Sequence, residues 1–431
     1  MSVIELGDAV PWSPPEPPPR RSLRPVAVLA VALLAATLLA GAGPTWGEPL
    51  FSIGDGVLDA RLVGGTLLVT RYEPDGPGRF EAHTPTGRLL WTRPRAGDSE
   101  YPQLVTAGVA VLTSLYGQAA ARDATATALD ARTGAQLWLR PGAVVVGAAG
   151  PRLVLQDVAG QREPYSREAG RETRLLGVDA RTGATVWQQT VPATSLVDYE
   201  YSEESEGLVA VDELTAGSVL QRRDPATGAV TDRREFATSG TAVTGFAVRD
   251  GRIQVSRVGA PGIEVYDLAT GELLWRYEKQ SYGLLPCGSG RWCTVGGDGI
   301  HAVDAGTGRA AWGIEQYNDV FGRSGDLLMA GGLGTSASVS HEAVVFTIDT
   351  RTGAIAHRLD GWIGTYSSHG GRLVVAHTDA GQWFGVVGLY DPHTGGVRVL
   401  GRARLGPTPV CVAGAEVLYC TGNGLSVWRL P

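Results

Sequence analysis

An all-β propeller of four-stranded blades, preceded by one N-terminal transmembrane helix, is the fold predicted by three features of the 431-residue sequence. The first is composition: 60 Gly and 25 Pro against 2 Met, with 43% hydrophobic and 19% charged residues, argue against long helices or a coiled coil. The second is a phrase, x-x-D-x-x-T-G-x-x-x-W, that recurs through the chain after residue 50. The third is an uncharged apolar run near the N-terminus. The formal charge of -7 and the single lysine, Lys279, leave no basic footprint, so no nucleic-acid partner is expected.

Residues 1-24 form a Pro-rich leader (Pro11, Pro14, Pro15, Pro17, Pro18, Pro19) that closes on Arg20, Arg21 and Arg24. The following segment, 25-43, has no ionisable residue and one hydroxyl, Thr37. As a helix it spans about 28 Å, enough for a bilayer's hydrocarbon. The arginines before it, with no further basic residue until Arg61, predict a cytoplasmic N-terminus, and Trp46 suits the far interface. The competing reading is a cleaved signal peptide with Ala40-Gly41-Ala42 at the cleavage site. The run is long for a signal sequence, so a single-pass signal anchor in the cell membrane is expected. Residues 44-49 then form a linker, and 50-431 an extracytoplasmic domain.

The recurring phrase describes a hairpin. Its threonines are Thr86, Thr133, Thr182, Thr227, Thr270, Thr307, Thr352 and Thr394, spaced by 47, 49, 45, 43, 37, 45 and 42 residues. A period near 44 with short alternating apolar runs predicts four-stranded blades rather than helical repeats. The clearest copies are Asp130, Thr133, Gly134 and Trp138; Asp179, Thr182, Gly183 and Trp187; Asp267, Thr270, Gly271 and Trp275; and Asp304, Thr307, Gly308 and Trp312. The Asp carboxylate is suited to accept hydrogen bonds from the turn's amides, while the Gly supplies a positive φ. Gly is present in all eight copies, and Asp in seven, with His83 replacing it in the first.

Four residues beyond the Gly stand Trp91, Trp138, Trp187, Trp275 and Trp312, replaced by Asp232, His357 and Val399 in the other copies. Burying a tryptophan removes about 150 to 250 Å² from water, an upper bound of about 4 to 6 kcal/mol, so these residues read as blade packing before ligand platforms. Two further short strands precede each phrase, as in 104-115, 252-258, 326-332 and 372-378. The tail after Pro409 supplies three strands without a fourth, and Leu50 to Ile53 could complete it by closing the ring. Eight complete units plus this remnant allow eight or nine blades; eight is the expectation.

The phrase resembles the repeat of the PQQ-like, or quinoprotein alcohol dehydrogenase-like, β-propellers over residues 50 to 431. That resemblance implies an eight-bladed propeller for most members. It implies no single activity, because the family holds quinone-dependent dehydrogenases and also non-catalytic scaffolds such as the outer-membrane assembly lipoprotein. Many of the dehydrogenases set a pair of sequence-adjacent cysteines against the cofactor beside a calcium ion. This chain has no adjacent cysteines, and Asn318 and Asn423 are its only asparagines. The expectation is therefore a protein without catalysis and without a cofactor, with PQQ-dependent oxidation as the alternative.

The four cysteines, Cys287, Cys293, Cys411 and Cys420, suit an exported domain. Of three connectivities the two local ones are favoured, because each pair flanks a hairpin-like pattern; each small loop would contribute about 2 to 3 kcal/mol. Neither pair has zinc-knuckle spacing, so no metal site is expected. His301, His341, His357, His369, His377 and His393 show no helical ligand pair. Two excursions stand out: DYEYSEESE (198-206), read as a loop suited to a cation or basic partner but more simply as solvated acid, and QREPYSREAGRETR (161-174), read as an exposed charged hairpin tip. The segment 332-340 lacks the Gly-Lys of a phosphate loop. The functional expectation is a membrane-anchored scaffold that binds a protein or envelope component at one propeller face. An envelope sensor signalling through the leader is a third reading.

Overall fold

The computed structural model describes residues 47-430 except 64, 75, 98-99, 115-123, 159-171, 193-194, 203-206, 216-218, 236-242, 260-261, 280, 282, 296-298, 316, 334-342, 379-383, 406-408 and 423. The leader and the expected membrane segment 25-43 lie outside the described residues. Among the described residues no helix is long and apolar enough to cross a membrane.

Every described element is a β-strand, and the strands form nine four-stranded antiparallel sheets, eight of them in chain order and the ninth completed by β1. Blade 1 comprises β2 (Val57–Val63), β3 (Thr66–Glu73), β4 (Gly76–His83) and β5 (Leu89–Pro94). Blade 2 comprises β6 (Glu100–Thr106), β7 (Val109–Ser114), β8 (Thr125–Asp130) and β9 (Gln136–Pro141). Blade 3 comprises β10 (Ala143–Ala149), β11 (Arg152–Asp157), β12 (Thr173–Asp179) and β13 (Thr185–Val191). Blade 4 comprises β14 (Ser195–Ser202), β15 (Gly207–Thr215), β16 (Val219–Arg223) and β17 (Val230–Glu235). Blade 5 comprises β18 (Val243–Arg249), β19 (Arg252–Arg257), β20 (Ile263–Asp267) and β21 (Leu273–Tyr277). Blade 6 comprises β22 (Gly283–Gly288), β23 (Arg291–Val295), β24 (Ile300–Asp304) and β25 (Ala310–Ile314). Blade 7 comprises β26 (Asp319–Ser324), β27 (Leu327–Leu333), β28 (Ala343–Asp349) and β29 (Ile355–Asp360). Blade 8 comprises β30 (Ile363–His369), β31 (Arg372–Thr378), β32 (Phe384–Tyr390) and β33 (Val397–Arg404). Blade 9 joins β34 (Val410–Ala413), β35 (Val417–Thr421) and β36 (Leu425–Arg429) to β1 (Phe51–Ile53).

The ring therefore has nine blades, which corrects the expected eight. The reason lies in what the phrase counts. Each copy is the turn between the third and fourth strands of a blade. Blade 9 has no such turn, because its fourth strand, β1, comes from the other end of the domain and pairs with β36 through Phe51 opposite Val427 and Ile53 opposite Leu425. Eight hairpins thus mark nine blades, and the pairing of β1 with β36 ties the two ends of the domain together in one blade.

Nine apolar clusters fill the nine seams between neighbouring blades. Blades 9 and 1 share Tyr419, Val427, Val57 and Val69; blades 1 and 2 share Leu68, Phe80, Trp91 and Leu112; blades 2 and 3 share Val111, Ala128, Val145 and Leu155. Such seams arise because strand residues alternate between the two faces of a blade, so each face offers an apolar row to its neighbour. Antiparallel order also sorts the connections. Turns between strands one and two and between strands three and four lie at one end of the ring, and the other connections lie at the opposite end. The acidic segment 203-206 joins β14 to β15, whereas 158-172 joins β11 to β12, so the two charged excursions leave from opposite ends of their blades.

Candidate functional site

The motif residues recur in every blade but the ninth, and in most copies the Asp carboxylate is held by its own turn. In blade 2, Asp130 Oδ1 accepts the backbone N–H of Arg132 (3.2 Å) and of Thr133 (3.0 Å) and the Thr133 hydroxyl (3.0 Å). Asp179 repeats this with Arg181 and Thr182, and Asp304 with Gly306 and Thr307. The donated bonds favour the charged carboxylate. The Thr133 hydroxyl foremost holds Asp130 below the usual carboxylate range, as the Thr307 hydroxyl does Asp304 and the Thr182 amide does Asp179.

The second carboxylate oxygen has a recurring partner that the motif does not contain. Arg152 pairs with Asp179, Arg252 with Asp267 at 2.8 Å, Arg291 with Asp304 at 3.6 Å and Arg372 with Asp391 at 3.6 Å. Each arginine opens the second strand of its blade, and Arg152, Arg252 and Arg291 stand directly opposite their Asp in register. The sequence carried a signal for it: Gly-Arg at 251-252, 290-291 and 371-372 before an apolar run.

The tryptophans cross the seams. Trp91 Nε1–H donates to the Ala131 carbonyl of the next blade (2.9 Å), Trp138 to Ala180 (2.8 Å), Trp187 to Pro225 (3.1 Å), Trp275 to Ala305 (3.0 Å) and Trp312 to Thr350 (2.8 Å). Each acceptor directly follows the motif Asp position of its own blade. Trp91 and Trp275 are buried, and the other three are half-buried. The Gly of one blade lies under the Trp of the blade before: a Cβ on Gly134, whose φ is +72°, would stand 2.7 Å from the Trp91 ring. Gly is thus required twice, by backbone angle and by the indole.

The copies without Trp close differently. At the ring closure Phe51 of β1 takes the place of the indole over Gly87 and stacks on His83, centroids 6.1 Å apart. His83 Nε2 bonds Glu81 (3.1 Å), and the turn is held instead by Thr84 Oγ1, which accepts the Arg88 N–H (3.1 Å). His357 packs over Gly395 and its Nε2 bonds the His393 carbonyl (3.0 Å). Beside Val399, the seam between blades 8 and 9 is filled from the other side by Trp428.

Blade 4 differs in kind. Asp198, Asp212, Arg222 and Asp232 stand directly opposite one another across its four strands, with Asp232 at the Trp position. Arg222 binds Asp212 through Nε and Nη2, both 2.9 Å, and Glu200 at 2.9 Å. Arg249 of blade 5 reaches Asp198 at 3.3 Å. Asp212 is fully buried, and burial pushes its carboxyl up despite the arginine. This corrects the reading of 198-206 as a loop: Asp198 and Glu200 belong to β14, and only 203-206 lies outside the described residues. Likewise Arg174 belongs to β12 and pairs with Asp157 at 2.9 Å.

The structure holds the two local disulfides. Cys287–Cys293 links β22 to β23, and Cys411–Cys420 links directly opposed residues of β34 and β35, with Cα atoms 5.7 and 4.0 Å apart. All four cysteines are buried and lie in seams. The histidines are dispersed: His393 Nε2 bonds Ser324 (3.2 Å), His377 Nδ1 bonds the Gly361 carbonyl (2.5 Å), and His341 lies outside the described residues. Among the described residues no group of three His, Cys, Asp or Glu is placed to hold a metal ion. With every cysteine in a strand-to-strand bridge, the described residues offer PQQ neither a cysteine-pair platform nor a carboxylate cage for its calcium.

A ring of four-stranded blades, stapled by Asp–Thr–Gly turns with an indole over the glycine, is the architecture of the PQQ-like β-propellers, and the chain is one of them. It belongs to the family described as outer membrane protein assembly factor BamB, whose model matches residues 45–213 and 260–399. The stretch between the two matched segments, 214–259, holds β16 to β19 and with them Arg222 and Asp232, two of the four residues of the charged row of blade 4. No curated protein matches. Among solved structures, BamB from Moraxella catarrhalis is 16% identical and covers 88% of this chain and 100% of its own, with a TM-score of 0.44. The designed protein Ika8 is 12% identical, covering 89% and 100%, TM-score 0.44. A europium-containing methanol dehydrogenase is 13% identical, covering 88% and 85%, TM-score 0.43.

Proposed function

We propose that the protein is a non-catalytic scaffold: a rigid extracytoplasmic ring, anchored in the membrane through residues 25-43, that binds a protein or another envelope component. The observation that carries this reading is that the repeat's reactive groups are engaged in the ring itself. The motif aspartates are engaged by their own turns, the indole N–H groups by the next blade, and the cysteines by each other. Such a ring holds its connections and outer edges in fixed positions, which is what surface recognition needs and what a reaction centre would compete with. Membership of a family described as an outer-membrane assembly factor supports the same reading.

Two measurements test it. Full-length protein in detergent is incubated with PQQ and calcium, passed through gel filtration and examined for co-eluting absorbance and a rise in Tm. Neither is expected; co-elution with a raised Tm would replace the scaffold by a quinoprotein oxidoreductase. Photo-crosslinking from both ends of the ring in envelope membranes is expected to trap a discrete partner, and an empty trap from every position counts against the scaffold.

A further inference from the structure

The outer strand of each blade is a free sheet edge, and seven of the nine are guarded. Pro94 and Pro141 close β5 and β9; Arg233, Arg276, Arg358 and Arg398 lie on β17, β21, β29 and β33; β1 is three residues long. Charge, proline and shortness are the usual means of keeping an edge from pairing. β13 and β25 have none of them, but β13 carries the polar pair Gln188 and Gln189, whereas β25 reads Ala-Ala-Trp-Gly-Ile and is apolar throughout. Ala310, Ala311 and Gly313 are exposed, so its main chain is open to an approaching strand.

Open space flanks this edge. A groove of about 630 Å³ runs along β25 and is lined also by His301 and by Lys279, in the connection between β21 and β22. A second, of about 370 Å³, is lined by Ala310 and Ala311 together with Arg291, Arg309 and Arg351 of blades 6 and 7. The lining of the two grooves carries four cations, Lys279, Arg291, Arg309 and Arg351, against two carboxylates, Asp304 and Glu315, while Asp349 and Asp326 of blade 7 act on Arg351 from outside the lining. Arg291 Nε is buried without a hydrogen-bond partner, and its contact with Asp304 is long at 3.6 Å, against 2.8 Å for the equivalent pair in blade 5.

We propose that blade 6 accepts a fifth strand: an extended, acidic segment of another protein that pairs with the free edge of β25. Main-chain bonds to β25 supply affinity, and carboxylates on alternate residues, about 7 Å apart, meet the arginines. The proposal rests on the scaffold reading and gives it a surface and a partner chemistry.

The probe is a fluorescein-labelled synthetic peptide, Thr-Glu-Val-Glu-Val-Glu-Thr, titrated by anisotropy into full-length protein in detergent. Saturable binding is expected. It should weaken about tenfold or more with lysine in place of glutamate, with alternate amides N-methylated, and with Arg309→Glu, an exposed substitution that leaves the seams intact. Ala311→Pro should abolish it; because proline could disturb the blade, that variant is read only where its far-UV circular dichroism matches the parent. Absence of saturable binding, or equal affinity for the N-methylated peptide, overturns the proposal. Crosslinking in envelope membranes separates it from the scaffold reading. Equal capture of one partner by the parent and Arg309→Glu, with no peptide binding, sinks the edge and leaves the scaffold, whereas peptide binding with no capture anywhere keeps the edge and sinks the scaffold.

Discussion

The seams on either side of blades 3 and 4 close the same ring with opposite chemistry. Between blades 2 and 3, Trp138 crosses to the Ala180 carbonyl above Val111, Val145 and Leu155. Between blades 4 and 5 the Trp position is Asp232, and a row of aspartates and arginines runs beside Leu214, Leu220, Val248 and Tyr266. An indole over a glycine stabilises through area removed from water and one hydrogen bond, and responds little to salt or pH. A buried ion pair balances a desolvation cost against Coulomb attraction, so its net contribution is small while the loss of either partner is severe. Two seams can therefore be equally closed and differ entirely in what disturbs them.

The largest effects should come from removing the centre of each. Trp91→Ala, at a buried indole, is expected to cost about 3 to 5 kcal/mol by urea unfolding. Arg222→Ala should cost a similar amount, about 3 to 5 kcal/mol, because Asp212 is left buried without its bidentate partner. The seams part company on the second step. Replacing Asp212 and Arg222 together by leucine and methionine should recover most of that loss, whereas no polar substitution restores Trp91. A double variant as unstable as Arg222→Ala would show that the row of charges acts as a network and not as a pair.

Covalent closure is a third chemistry, and its removal should be milder. Changing Cys411 and Cys420 to serine is expected to cost about 2 to 3 kcal/mol, the value for a short loop, read as a fall in Tm that reductant also produces in the parent. Smaller again is Asp232→Ala. Asp232 pairs with Arg234, which is itself exposed, so the cost should stay under about 1 kcal/mol. A loss as large as that of Trp91→Ala would mean that Asp232 seals its seam as the indoles do.

How much of this was legible in the sequence follows from which residues are forced locally. The Asp–Thr–Gly turn was legible because a carboxylate must meet the turn amides and a positive φ excludes most other residues. Ring closure by Phe51 to Ile53 was also legible, since the tail lacked one strand. The blade number was not, because the phrase marks hairpins and the ninth blade is assembled without one. The row in blade 4 was misread for a different reason. Asp198-Tyr199-Glu200-Tyr201 alternates with the period of a strand, and Tyr199 packs toward blade 3 while Asp198 and Glu200 face blade 5. Its position after the closing strand of blade 3 suggested a loop, but strand periodicity outranks position when a neighbouring strand supplies the countercharge. The arginines opposite the motif Asp escaped notice because their partners stand 13 to 27 residues away in sequence, a separation that only strand pairing turns into contact.

The finest test compares two aspartates by pH. Asp179 is held below the ordinary carboxylate value by the Thr182 amide and its other donors. Its contribution is fully present above the unfolded value near 3.9 and is lost as pH falls through the lower folded value. Asp212 is displaced the other way by burial, so its contribution is present below the unfolded value and lost as pH rises through the raised folded one. Urea midpoints at pH 7, 5, 4 and 3 for the parent, Asp179→Asn and Asp212→Asn should therefore diverge. On acidification the parent should lose its advantage over Asp179→Asn, mostly below pH 4, and gain on Asp212→Asn above it. The two slopes have opposite sign for a single reason: one carboxylate sits where donors converge on it, and the other sits where water has been excluded. Parallel slopes would place both aspartates in the same electrostatic setting and remove the distinction between the two seams.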